Sequence, residues 1–74
     1  MEGIEARALF GRLLMDKVRS DRYPSTVQMG ILEQVLPPQL LPEYLEILLE
    51  KVADDRWPSP PMLRRIQRVA SSIR

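Results

Sequence analysis

Asp21-Arg22-Tyr23-Pro24-Ser25 and Asp55-Arg56-Trp57-Pro58-Ser59 are one five-residue pattern written twice, thirty-four positions apart. Proline disfavours the helical conformation in the residue before it, so Tyr23 and Trp57 are expected to be extended. The serine after each proline is placed to cap a following helix by accepting hydrogen bonds from its free N–H groups. Each copy therefore closes one helix and opens another, which requires helical segments on both sides of both copies.

The repeat extends well beyond the turn when residues 10–36 are laid over 44–70. Leu14/Leu48, Lys17/Lys51, Val18/Val52 and Val35/Val69 are identical, while Phe10/Tyr44, Leu13/Ile47, Met15/Leu49, Met29/Leu63 and Leu32/Ile66 are conservative pairs. The expected fold is all-α: four short helices arranged as two tandem, pseudo-repeated α-hairpins, approximately 1–36 and 37–74, sharing one core in a single domain over 1–74. The period is that of tetratricopeptide repeats, but the Trp, Leu-Gly, Tyr, Ala and Phe positions of that consensus are absent. Two copies are also fewer than the roughly three such arrays need.

The apolar spacing predicts each helix in turn. Ala6, Phe10, Leu13, Leu14 and Val18 recur at three- and four-residue steps between Glu5 and Ser20, as one buried helix face requires. Gly11 weakens that helix by about 1 kcal/mol relative to alanine, which marks it as a candidate crossing point. Ser25 and Gln28 form a capping-box pattern, Pro24 and Met29 a hydrophobic staple, and Met29, Leu32, Val35 and Leu36 face inward until Pro37-Pro38 stop the second helix. After a connection over Gln39 to Leu41, the third helix runs from Glu43 to about Asp54, with Tyr44, Ile47, Leu48 and Val52 on its main stripe. Leu41, Leu45 and Leu49 widen it. Ser59 caps the fourth helix with Pro60 at its first position, and Met62, Leu63, Ile66, Val69, Ala70 and Ile73 make its expected buried side.

With 45% hydrophobic and 28% charged residues, the 74-residue chain is balanced for a small folded domain rather than a disordered segment. It contains no histidine and no cysteine. Disulfides, thiolate nucleophiles, Ser-His triads and nearly all zinc ligand sets are thereby unavailable, and no Gly-rich phosphate loop is present. No catalytic, cofactor-binding or metal-binding residues are assigned, and no enzymatic activity is expected. Glu43, Glu46 and Glu50 share one face of the third helix, but without histidine they lack the Glu-x-x-His partner of di-metal bundles. A solvated acidic face is the better account. No apolar run approaches the ~20 residues of a membrane span, and the acidic opening Met1-Glu2-Gly3-Ile4-Glu5 does not resemble a signal peptide, so a cytoplasmic location is expected.

Each feature that invites a function also has a structural reading. Ser25 and Ser59, with an arginine three residues upstream, resemble phosphate cradles, yet capping accounts for the same residues. Modification of either serine is not favoured inside a folded turn. Tyr23 and Trp57 are expected to pack beneath the inter-helix turns, with their polar atoms reaching backbone partners. Arg64, Arg65, Arg68 and Arg74 give the last helix a basic face suited to nucleic acid, an acidic partner or a membrane surface, although staying in water or pairing with the acidic third helix accounts for it as well. A formal net charge of +1 argues against nucleic acid as the first choice.

The expected function is a small non-catalytic protein–protein interaction or adaptor module. Leu9, Met15, Ile31, Leu40, Leu41, Leu45 and Leu49 are too many apolar residues for four short helices to cover, so a homodimer or a protein partner is expected. Leu41, Leu45 and Leu49 are the candidate apolar interface. The alternative is a nucleic-acid-binding or transcription-regulating protein that uses Arg64, Arg65, Arg68 and Arg74.

Overall fold

A computed structural model describes residues 3–73, and these are all-helical, with no strand among them. The helices are α1 (Gly3–Ser20), α2 (Thr26–Val35), α3 (Leu41–Asp54) and α4 (Pro60–Ser72), with one 3-10 turn (Pro38–Leu40) leading into α3. Glu5 in the first turn of α1 and Lys17 and Arg19 in its last turn both complement the helix dipole. Leu36 ends α2 in an extended conformation, φ −65° and ψ 131°, as the residue before Pro37 must, while its N–H still donates to the Leu32 carbonyl at 2.9 Å. The start of α3 lacks a side-chain cap; Pro42 occupies its first turn, where a missing N–H costs nothing.

Packing is within successive pairs, α1 on α2 and α3 on α4, and the chain divides into two compact units, Met1–Gln39 and Leu40–Arg74. In the first unit the beginning of α1 meets the end of α2. The Arg7 guanidinium donates to the Gln34 carbonyl at 3.2 Å, satisfying one of the orphan carbonyls of the last α2 turn. One turn further along α1, a Cβ on Gly11 would stand 3.2 Å from the Leu36 side chain, so this glycine is the crossing point its position suggested. The contact decides which side of α1 is buried. Gly11, Met15 and Val18 face inward with Leu14 half-buried, whereas Ala6, Phe10 and Leu13 of the expected stripe are exposed. Both stripes have helical periodicity, and the one containing the glycine allows the closer approach.

Met29, Leu32 and Leu36 complete the buried side of the first unit, as the sequence indicates. In the second unit Tyr44, Ile47 and Leu48 of α3 are buried, together with Arg65 and Val69 of α4. Met62 and Ile66 line the same α4 stripe half-buried, with Ile73 half-buried at the C-cap, but Leu63 and Ala70, expected to face inward, are exposed. Arg65 occupies the centre of that stripe.

Candidate interaction site

The two turns between paired helices share an aspartate Asx turn and a serine cap, although Ser59 caps one N–H where Ser25 caps two. Asp21 Oδ1 accepts from the Tyr23 N–H at 3.1 Å, and Asp55 Oδ1 accepts from the Trp57 N–H at the same distance. These Asx turns replace the helical continuation that the following proline forbids. Ser25 Oγ then accepts from the N–H groups of Val27 (3.1 Å) and Gln28 (3.3 Å), giving the serine half of the capping box. Ser59 Oγ accepts from the Met62 N–H at 3.2 Å. Both serines have the extended backbone of an N-cap residue, ψ 137° and 145°.

With aspartate, proline and serine committed to the backbone, the aromatic residues point away from it. Tyr23 is 68% exposed and Trp57 is 81% exposed, which corrects the expectation that both rings pack beneath the turns. The prolines take the inner position instead: Pro24 is buried and Pro58 half-buried. Arg22 and Arg56 are exposed, and the Arg22 guanidinium lies 5.5 Å from the centroid of Tyr23, in cation–π range. Each turn is a hydrogen-bonded pedestal that presents a ring and a guanidinium to solvent. The available signal for this was the aspartate two residues before each ring, whose carboxylate competes for the ring residue's own N–H.

The candidate basic residues are not brought to one surface. Arg64 and Arg68 are exposed one turn apart on α4, whereas Arg65 is only 9% exposed within the buried stripe, and Arg74 lies outside the described residues. Along the candidate apolar interface, Leu49 is exposed while Leu41 and Leu45 are half-buried. Met15, counted among the uncoverable residues, is buried. Among the described residues no cluster of three acidic side chains has metal-holding geometry, and no helix is long and apolar enough to cross a membrane. No family model, curated protein or solved structure matches this chain.

Proposed function

We propose that this chain is a non-catalytic interaction module made of two tandem copies of one α-hairpin, whose matched turns are its contact points for protein. The single observation that carries the reading is the exposure of Tyr23 and Trp57 on turns whose other residues have structural tasks. Tryptophan, tyrosine and arginine are the residue types most enriched at the energetic centres of protein interfaces. Here an exposed arginine precedes an exposed aromatic at both turns, in cation–π range at Arg22 and Tyr23, on backbone already ordered by hydrogen bonds. Pre-ordering removes part of the conformational cost that a flexible loop would meet on binding.

The experiment is photo-crosslinking in the native cell, with a photoreactive phenylalanine analogue at position 23, position 57 or the exposed α4 position Gln67. Discrete protein adducts from positions 23 and 57 but not from 67 are expected. No adducts, or the same adducts from all three positions, would contradict the reading.

The second reading, nucleic-acid contact, draws its support from the exposed Arg64 and Arg68 pair on α4. Two guanidinium groups neutralise about two phosphates, which corresponds to a salt slope near −2 and weak binding at physiological salt. Anisotropy with a labelled duplex at low salt tests it: loss of binding in an Arg64→Gln, Arg68→Gln variant supports the role, and no binding by the unaltered chain contradicts it.

A further inference from the structure

The doubled pattern lets the chain be compared with itself. Among exposed positions matched thirty-four residues apart, Arg12/Glu46, Arg19/Ala53, Ser20/Asp54, Thr26/Pro60 and Gln34/Arg68 differ in charge or polarity. Arg22/Arg56 and Tyr23/Trp57 do not, and outside the motif only Asp16/Glu50 and the apolar pair Val27/Pro61 keep their character as well. Surface substitutions cost little stability, so an exposed position drifts unless the fold or a contact holds its chemistry. The fold holds Asp21, Pro24, Ser25 and their counterparts, through the Asx turn, the inner position and the cap. The arginine and the ring stand outside that framework, in solvent, and still match.

What the two turns share narrows what they recognise. Just before the motif, Arg19 contributes +1 at the first turn and its counterpart is Ala53, while Asp54 contributes −1 at the second and its counterpart is Ser20. Flanking charge is therefore not the common element. Common to both are an aromatic face, the guanidinium that precedes it in sequence, and Val27 or Pro61 in the first turn of the helix that each serine caps. A ring packs against an apolar side chain, and a guanidinium donates to a carbonyl oxygen. Both interactions act at contact distance and are nearly indifferent to salt, unlike steering between separated charges.

We propose that both turns bind one and the same protein feature, an apolar side chain beside a backbone carbonyl, and that one chain holds two copies of the partner that carries it. Each turn lies within its own compact unit, residues 21–25 in Met1–Gln39 and residues 55–59 in Leu40–Arg74, so each unit carries a complete contact. The proposal rests on the protein-contact reading and adds to it the sameness of the ligand and a stoichiometry of two.

The test uses the full chain with the photoreactive phenylalanine analogue at position 23, at position 57, or at both, irradiated in the native cell, with the adducts resolved by mass. Both single variants are expected to link to the same protein. The double variant is expected to give a product of one chain and two copies of that protein, in an amount near the product of the two single yields. In fresh lysate, raising salt from about 0.1 M to about 0.5 M should change the single yields by no more than about twofold. Different proteins at the two positions, a double variant whose products never exceed one copy, or a fall of about tenfold at the higher salt would overturn the proposal and leave the protein-contact reading standing. No adduct from either position would overturn both.

Discussion

Gly11 of α1 and Leu36 at the end of α2 are in direct apposition: a Cβ on the glycine would lie 3.2 Å from the leucine Cδ2. Thirty-four positions later, the second helix pair carries a large side chain, Leu45, half-buried. Introducing it in the other, Gly11→Leu, overpacks the α1–α2 crossing. A loss of about 1–3 kcal/mol is expected in urea unfolding, despite leucine's better helix propensity. Equal or greater stability in the variant would show that Leu36 does not hold α1 at this distance.

The two serine caps make a paired prediction. Ser25 and Ser59 each satisfy N–H groups in the first turn of the next helix. Replacing either with alanine should lower stability by about 1 kcal/mol, and replacing it with glycine by only a few tenths. Urea midpoints of the four variants measure this; alanine and glycine having the same effect would contradict a capping role.

Within each turn, stability and contact should separate. Asp21→Ala and Asp55→Ala remove a hydrogen bond that fixes the turn, and each is expected to cost about 1 kcal/mol. Tyr23→Ala and Trp57→Ala truncate exposed rings and should change stability by no more than about 0.5 kcal/mol. Thermal unfolding of all four distinguishes the two groups. A large loss from ring truncation would mean that the rings belong to the core.

The arginines of α4 are predicted to be unequal. Arg65 is buried and has an interaction partner, whereas Arg64 and Arg68 are exposed on the same helix. Arg65→Ala is expected to destabilise by about 2–4 kcal/mol, against about 0.5 kcal/mol or less for Arg64→Ala and Arg68→Ala. Chemical denaturation of the three variants provides the comparison, and similar values for all three would contradict the burial of Arg65.

Most helix boundaries were legible in the sequence because local chemistry sets them: proline at 24, 37 and 58 stops or redirects the chain, and serine at 25 and 59 restarts it; the uncapped start of α3 was not, lying at Leu41 rather than the expected Glu43. Gly11 was legible for the same reason, since a glycine inside a helix has a cost that a close crossing offsets. The buried side of α1 was not, because its apolar residues occupy most of the circumference and Phe10-Leu13 and Met15-Val18 are equally periodic. Only the approach to Leu36 separates them. The orientation of Tyr23 and Trp57 depended on the Asx turns and on Pro24 taking the inner position, a competition that residue types alone do not settle. Arg65 reads as one of a basic run, and its burial comes from tertiary packing of the stripe that also holds Met62, Ile66 and Val69.

The most direct measurement of the central claim uses the chain's single tryptophan. Trp57 is predicted to emit as an indole in water and to be readily quenched by iodide in the folded chain, its ring standing clear of the backbone that Asp55 and Ser59 hold in place. A blue-shifted emission protected from iodide, in a chain that is folded and monomeric, would mean that the ring is packed inside and would contradict the proposal that it is a contact point for protein.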